Sequence, residues 1–246
     1  MTRKKIKLRD ITNSDSGEED WQEHLPLTAV KGFTIKNKFN FNDTHQTFFN
    51  LCTENKTKMV LVDGPAGTAK TYISVMAALT LLKEKQINQI IYIRSIVESA
   101  TKSIGALPGE IGDKFRPWSL PLLEKLNEII PPNVSQKLLD EEQIRSIPVN
   151  FVRGLTFHDS FVIVDEAQNL TKEELVTILT RFGMRTKYIV IGDTMQRDIG
   201  FKSGFHEVFE RFNDIDCPPM GIHAMEFGEN EIVRSPILKF IVKKLQ

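Results

Sequence analysis

Short apolar segments alternate with helical patterns along most of the chain. Helical spacing of apolar residues predicts helices over residues 71–83, 122–130, 172–182 and 204–212. The segments rich in β-branched or aromatic residues, which predict buried strands, are residues 59–62, 90–93, 149–152, 161–164, 188–191 and, more weakly, 223–227. Strands that are apolar on both faces are typical of a parallel sheet covered by helices on both sides. The pattern therefore predicts an α/β fold of three layers around a mainly parallel sheet.

The flanking regions carry weaker patterns. Thr44 is placed to cap a helix whose apolar positions include Phe48, Phe49 and Cys52. Residues 105–121 are rich in Gly and Pro and predict a long loop or insertion. Residues 1–26 pass from a basic to an acidic cluster with few apolar residues, which predicts a mobile arm, either a solvated tail or a polyanion-binding segment. Residues 27–246 then form a single domain.

Composition narrows the class of protein. The 246 residues are 41% hydrophobic and 26% charged, as in an ordinary soluble globular protein. No apolar run approaches the ~18–20 residues that cross a bilayer, and no apolar stretch follows the basic N-terminus, so we expect neither a transmembrane span nor a secretory signal. Cys52 and Cys217 are too few for a disulfide framework, which favours a reducing, cytoplasmic setting.

Charge also limits the candidate sites. The 32 Lys and Arg residues balance 32 Asp and Glu residues, so a nucleic-acid site would have to be a local patch. The five histidines form no HxxxH pair, so the sequence predicts no histidine metal site.

The clearest candidate site is the turn GPAGTAKT at residues 64–71, between a predicted strand and a predicted helix. In a P-loop, backbone N–H groups of such a turn wrap a polyphosphate at a helix N-terminus, a lysine reaches the β- and γ-phosphates, and a hydroxyl binds Mg²⁺. Ala69 stands where glycine is usual, and its Cβ costs roughly 1 kcal/mol if φ is positive. The alternative is a fortuitous glycine-rich turn. The predicted nucleotide-binding residues are Gly64, Pro65, Ala66, Gly67, Thr68, Ala69, Lys70 and Thr71.

A second acidic motif and a third polar one support a nucleoside triphosphate site. In FVIVDE, at residues 161–166, a buried strand ends in Asp165, placed to hold Mg²⁺ with Thr71, and in Glu166, placed to orient the attacking water. Alone, this pattern also fits a strand followed by a solvated turn. In GDTMQR, at residues 192–197, Gln196 could sense the γ-phosphate. A small-molecule kinase is a weaker interpretation, because the lid-like segment 105–121 offers only Lys114 and Arg116 as cations.

The motifs together resemble a known family. DEAQ at residues 165–168 with GDTMQ at residues 192–196 resembles superfamily-one helicases. The chain resembles more closely the PhoH family of P-loop ATPases, from about residue 40 to 246, with Ala69 and Ser95 as departures. The motifs that carry this resemblance are GPAGTAKT (64–71), IRSIVESATKSIGALPGE (93–110), KFRPW (114–118), FVRGLTFHDSFVIVDEAQN (151–169), GDTMQRD (192–198) and ENEIVRSPI (229–237).

The resemblance implies one RecA-like ATPase core that uses ATP and Mg²⁺, assembles as a homo-oligomeric ring such as a hexamer, and acts on RNA or single strands. Since helicases of this type place ATP between two cores, a neighbouring subunit would complete the site. Arg234, before a terminal helix, is the candidate arginine finger, or else a surface side chain paired with Glu231. Gln46 resembles an adenine-contacting glutamine, or else is solvated.

Basic and aromatic residues give candidate contacts to nucleic acid. Arg153 could equally form a structural ion pair, and Trp118 could be a packing anchor. We therefore carry two functions: an ATPase coupled to single-stranded RNA or DNA, and a non-motor ATP switch acting on a protein partner; neither involves a membrane. The candidate contacts are Arg94, Lys102 and Arg153, with Lys114, Arg116, Phe115 and Trp118 nearby in sequence.

Overall fold

The computed structural model describes residues 32–95, 111–196, 198–233 and 236–245, without side chains for residues 111–118, 236, 238 and 245. The arm predicted for residues 1–26 and its boundary lie outside these ranges. Within them, a six-stranded parallel sheet has the order β3-β2-β4-β5-β1-β6. The strands are β1 (Met59–Asp63), β2 (Gln89–Arg94), β3 (Ile144–Pro148), β4 (Ser160–Asp165), β5 (Lys187–Gly192) and β6 (Ile222–Glu226).

Helices cover both faces of the sheet. The described helices are α1 (Asp43–Thr53), α2 (Lys70–Lys83), α3 (Ile111–Ile129), α4 (Pro132–Asp140), α5 (Lys172–Leu179), α6 (Phe205–Phe212) and α7 (Pro236–Leu245). Alternate strand residues face opposite layers: Val60 and Val62 pack with α1 to α4, whereas Met59 and Leu61 pack with α5 and α6. This arrangement confirms the predicted three-layer, RecA-like α/β fold.

The strand order brings the predicted motifs to one edge. β5 lies between β1, which leads into the glycine-rich turn, and β4, which ends at Asp165. Asp63 is in register with Gly192 of β5, and Arg94 of β2 is in register with Asp165. Because all these strands are parallel, their carboxyl ends meet where ligands bind in open α/β sheets.

The strand predicted at residues 149–152 is wrong. The third strand is Ile144–Pro148, and Val149–Phe151 form a 3₁₀ turn. Pro148 lacks a backbone N–H, which favours the end of a ladder. Val149 and Val152 are buried three residues apart while Phe151 is 59% exposed, the spacing of a helical turn rather than of a strand.

The long loop predicted at residues 105–121 is wrong from residue 111 onward, where α3 begins; residues 105–110 lie outside the described ranges. The Gly and Pro content of the whole segment led to that prediction, and Pro117 and Pro121 lie within α3. Burial of the apolar face Leu122, Leu126 and Ile129 outweighs their helix-breaking cost. The helix predicted at 122–130 is therefore the second half of a longer one.

Three smaller corrections follow from local chemistry. α1 is capped by Asn42 rather than Thr44, since the Asn42 side chain accepts a bond from the His45 N–H. α4 was not predicted from the sequence; it begins at Pro132, and proline is favoured in the first turn of a helix. α5 ends at Leu179 rather than at residue 182, and Phe182 instead bridges to Phe157.

None of the described helices is long and apolar enough to cross a membrane.

Candidate active site

The glycine-rich turn has the geometry of a phosphate-binding loop. It leaves β1 at Asp63 and enters α2 at Lys70, so the N-terminal amides of a 14-residue helix face the sheet edge. Gly64 lies against the chain at Phe227, where an added Cβ would come within 2.6 Å of the carbonyl oxygen. Ala69 has a φ of 61°, the left-handed conformation that glycine adopts more readily. The loop therefore forms despite the alanine, with strain at its last residue.

Lys70 lies inside this loop. Its side chain is buried, and Nζ donates to the carbonyl oxygens of Gly64 at 2.6 Å and Pro65 at 2.9 Å. Burial lowers the pKa of Lys70, while nearby carboxylates, chiefly Asp193 and Asp165, oppose that shift. A cation held among carbonyls and carboxylates at a helix N-terminus is placed to meet a polyphosphate.

Thr71 and Asp165 are in direct contact across the sheet edge. The Thr71 hydroxyl donates to Asp165 Oδ1 at 3.1 Å. The Tyr92 hydroxyl donates to Asp165 Oδ2 at 2.5 Å, so both carboxylate oxygens are held. Burial, followed by the charge of Asp165, raises the pKa of Tyr92, which keeps the phenol protonated as a donor.

These oxygens fit a magnesium ion. Mg²⁺ prefers hard oxygen ligands and is usually held by one or two protein groups together with substrate phosphates and water. Thr71 and Asp165 supply one hydroxyl and one carboxylate oxygen side by side, beside the phosphate loop. No cluster of three or more His, Cys, Asp or Glu residues with metal-binding geometry occurs among the described residues. For a magnesium ion held by Thr71 and Asp165, phosphates and water would supply the remaining ligands.

Glu166 is held from two sides. Gln168 Nε2 donates to its Oε2 at 2.6 Å, and the Arg94 guanidinium lies 3.6 Å from its Oε1. Burial and the adjacent Asp165 raise the pKa of Glu166, and Arg94 partly opposes them. The residue has a φ of 54°, so its side chain leaves the strand end in a direction that regular strand geometry would not give.

Two further links join the motifs. Gln168 Oε1 accepts a bond from the Asp193 N–H at 3.0 Å, which connects the acidic motif to the turn after β5. Asp63 accepts bonds from the Thr194 hydroxyl at 2.8 Å and from the N–H groups of Thr194 and Gly64. Asp193 Oδ2 is buried without a hydrogen-bond partner among the described residues, and burial raises its pKa. The three loops therefore behave as one hydrogen-bonded unit.

One cavity of about 260 Å³ joins these groups. Lys70, Thr71, Asp165, Glu166 and Gln196, which were predicted from separate motifs, all line it. Gln196 is exposed and its N–H donates to the Asp193 carbonyl. Most of the predicted loop also lines it, whereas Gly64 and Pro65 line a neighbouring pocket. The structure thus brings together the predicted metal residues and three of the four predicted catalytic residues, all except Arg234, and their roles stay predictions.

Other predicted residues lie elsewhere. Gln46 is exposed on α1, where its amide donates to Asn50 Oδ1, and it does not line the cavity. Arg153 is exposed and lines a separate pocket that also includes Glu174. Lys102 and Arg234 lie outside the described residues, as do the side chains of Lys114, Phe115, Arg116 and Trp118.

The turn that precedes Arg234 is nevertheless well defined. Glu231 is buried and accepts bonds from the Asn42 amide at 2.9 Å and the Gly228 N–H at 2.8 Å. His45 Nε2 lies within hydrogen-bond distance of the carbonyl oxygens of Thr68 and Glu231, and Val233 N–H donates to Gly67. The segment up to Val233 is thus attached directly to the phosphate loop.

Several site residues were missed by the sequence interpretation: Asp63, Tyr92, Thr194, Phe39, Tyr72 and Lys125. The signal for Tyr92 was a polar-tipped aromatic two residues before Arg94, on the same strand face, and the signal for Asp63 was an acid at the end of a buried strand. Phe39 lies outside every quoted motif.

Comparison with known proteins agrees with this geometry. A family model described as PhoH-like protein matches residues 42–246. The PhoH-like protein of Bacillus subtilis is 36% identical over 190 residues, covering 76% of this chain and 58% of that protein. Protein PhoH of Escherichia coli is 34% identical over 184 residues, covering 73% and 51%. The chain thus spans about half the length of these curated relatives.

One solved structure, a Sulfolobus solfataricus SWI2/SNF2 ATPase core in complex with dsDNA, is similar with a TM-score of 0.45 and 13% identity, covering 82% of this chain and 47% of that one. This likeness is too weak to carry an argument. The family match, in contrast, covers the glycine-rich turn, the acidic motif and the turn after β5 together. The chain belongs to the PhoH family.

Proposed function

We propose that this chain binds ATP with Mg²⁺ and hydrolyses it, and that hydrolysis is coupled to single-stranded RNA or DNA in a helicase-like way. The observation that carries the ATPase proposal is the contact between the Thr71 hydroxyl and Asp165, at 3.1 Å, beside a lysine-bearing loop and next to Glu166. Membership of the PhoH family supports it.

Each residue then has a distinct task. The loop amides and Lys70 hold the phosphates, and Thr71 and Asp165 hold the metal, with Tyr92 fixing the carboxylate orientation. Bound Mg²⁺ neutralises charge on the β- and γ-phosphates. Glu166 orients the attacking water, and Gln196, at the cavity wall, senses the γ-phosphate.

Arg94 supports a coupling to nucleic acid. It ends β2 beside Asp165, and its guanidinium pairs with Glu166. A backbone phosphate competes well for a guanidinium. A strand that binds Arg94 would draw it from Glu166 and leave the carboxylate free to orient water, so polymer binding would raise turnover.

The surface around α7 supports assembly into a ring. Ile237, Phe240 and Ile241 share one helix face and are 62%, 57% and 44% exposed. Arg234 precedes this helix in the sequence, so a subunit contact through α7 would place Arg234 close to the subunit boundary. In this proposal Arg234 acts as an arginine finger across the boundary.

A non-motor ATP switch acting on a protein partner is the second candidate. The chain has no net charge. Arg94 is paired with Glu166, whereas Arg153 lines a separate pocket with Glu174, so these two cations do not share one pocket. A switch needs the same nucleotide site but no surface that binds RNA or DNA.

The ATPase proposal is tested by trapping nucleotide. We expect Glu166→Gln to bind ATP with Mg²⁺ and to lose at least about 100-fold in turnover, the usual contribution of a positioned acid–base group. Lys70→Ala should lose binding or turnover. Glu173→Gln, an exposed acid in the first turn of α5, is the matched control and should behave as wild type. Normal turnover by Glu166→Gln would remove this residue from the mechanism.

A further inference from the structure

We propose that Phe39 forms the stacking wall of a nucleobase subsite in the same cavity. This inference rests on the proposed function, because it takes the cavity to hold a nucleoside triphosphate. Phe39 precedes residues 42–246, which match the family, so the family match assigns it no role.

The lining of the cavity includes residues outside the phosphate loop and the acidic motif. Phe39 and Lys125 line it together with Thr71, Asp165 and Gln196. A nucleotide whose phosphates lie on the loop and the start of α2 must place its sugar and base along the remaining wall. Two aromatic residues, Phe39 and Tyr72, line the cavity among the described residues. Tyr72 is 2% exposed and offers no free ring face, whereas Phe39 is only partly buried.

The segment that carries Phe39 is held in place. The Tyr72 hydroxyl, on the residue after Thr71, donates to the Lys36 carbonyl at 3.1 Å and accepts from the Lys38 N–H at 3.0 Å. The Lys36 N–H in turn donates to the Ile129 carbonyl at 2.8 Å. The Phe39 ring packs edge-on against Tyr72, with centroids 4.7 Å apart. A ring fixed in this way loses little freedom when a base stacks on it.

Phe39 packs partly against the core, as Phe41 does, but unlike Phe41 it also lines the cavity. Phe33 and Phe48 are 6% and 0% exposed and fill the core. Phe41 is partly buried in the same segment, but its ring lies against His45, 5.6 Å between centroids, and it does not line the cavity. Phe39 differs from all three because it faces the space beside the phosphate loop.

The test compares a nucleotide with a ligand that lacks a base. Calorimetry would measure the binding of a non-hydrolysable ATP analogue with Mg²⁺ and of inorganic tripolyphosphate to the full chain. We expect Phe39→Leu, which keeps apolar volume, and Phe39→Ala to weaken the analogue roughly 5- to 150-fold, the worth of one stacked base, and to leave tripolyphosphate unchanged. Phe39→Trp should restore affinity. Phe41→Leu is the matched control and should leave both ligands unchanged.

Several results would overturn the subsite. Equal losses for both ligands would make Phe39 a packing residue, and an unchanged analogue affinity would place the base elsewhere. A base-dependent loss in Gln46→Ala with none in Phe39→Leu would assign base recognition to Gln46. If Lys70→Ala binds the analogue as wild type does, the proposed function itself fails. Thermal unfolding of each variant separates a folding defect in Phe39→Ala from lost stacking, and Phe39→Leu then decides.

Discussion

Two residues of the candidate site hold backbone conformations that L-amino acids rarely adopt. Ala69, which directly precedes α2, has a φ of 61°, and Glu166, which follows Asp165, has a φ of 54°. Each such residue costs of order 1–2 kcal/mol, which the surrounding hydrogen bonds must offset. Both residues therefore lower the stability of the folded chain, one on each side of the contact between Thr71 of α2 and Asp165 of β4.

Replacing Ala69 measures this cost. We expect Ala69→Gly to raise the free energy of unfolding by about 0.5–1 kcal/mol, because the relief of left-handed strain exceeds the added entropy of the unfolded chain. Ala66→Gly, in the same loop but without a positive φ, should lower it slightly. Urea denaturation of the two variants gives the comparison, and equal effects would show that Ala69 is unstrained.

Single residues were the most predictable part of the site. Lys70, Thr71, Asp165 and Glu166 were identified because each follows a strand in a fixed motif. Tyr92 was not identified, because its position on the same strand face as Arg94 does not show that its hydroxyl reaches Asp165 on the neighbouring strand. The sequence also did not show that the Gln46 side chain would hydrogen-bond to Asn50 rather than line the cavity.

At the scale of elements, the end of β2 has the largest functional consequence. Its last residue, Arg94, is in register with Asp165 and pairs with Glu166, so strand pairing fixes a cation beside the proposed water-orienting residue. The proposed mechanism needs ionised Glu166, whose pKa is raised by burial and by Asp165. As the pH is lowered, the hydrolysis rate should therefore begin to fall at a higher pH than it would with an ordinary glutamate.

Removing Arg94 has two expected effects. At pH 8, Arg94→Ala should raise polymer-free hydrolysis about two- to five-fold, which corresponds to the ~0.5–1 kcal/mol of a partly exposed ion pair, and should abolish polymer stimulation. The acidic limb of the pH–rate profile should move to higher pH, because Arg94 lowers the pKa of Glu166. Arg153→Ala is the control and should change neither the basal rate nor the limb. An unmoved limb in Arg94→Ala would show that the ion pair does not act on Glu166.

Whole elements were predictable where one apolar pattern decided them. The strands β1, β2, β4 and β5 are apolar on both faces, and each was predicted close to its observed bounds. β3 was missed because two of its five residues, Arg145 and Ser146, are polar and not buried, which interrupts the apolar pattern at the sheet edge. The first half of α3 was missed because its two prolines disfavour a helix locally. The burial of Leu122 and Leu126 against the rest of the protein, which outweighs that cost, is a tertiary effect that the local sequence does not show.

At the scale of the whole molecule, the proposed mechanism needs a neighbouring subunit, because Arg234 of one subunit would complete the site of another. The described residues supply the loop, the proposed metal ligands and Glu166, and the turn before Arg234 is attached to the phosphate loop through Val233 and Gly67. The chain spans about half the length of its curated relatives, so assembly and substrate remain proposals.

Mixing two inactive variants tests the subunit boundary. Arg234→Ala should retain ATP binding and lose turnover by about 10³- to 10⁵-fold, as for other arginine fingers. When it is mixed with Lys70→Ala, activity should partly return, because mixed interfaces pair an intact cavity with an intact Arg234. Turnover measured across mixing ratios provides the readout. An unchanged kcat in Arg234→Ala alone, or no recovery on mixing, would contradict a role in trans.

The central claim is a nucleic-acid-coupled ATPase, and steady-state ATP hydrolysis with and without single-stranded RNA and DNA tests it most directly, with Lys70→Ala as the blank. We expect hydrolysis that depends on Lys70 and rises when one of the polymers is added. Lys70-dependent hydrolysis that ignores both polymers would contradict the coupling and favour the protein-partner switch. Hydrolysis equal to that of Lys70→Ala would contradict the ATPase itself.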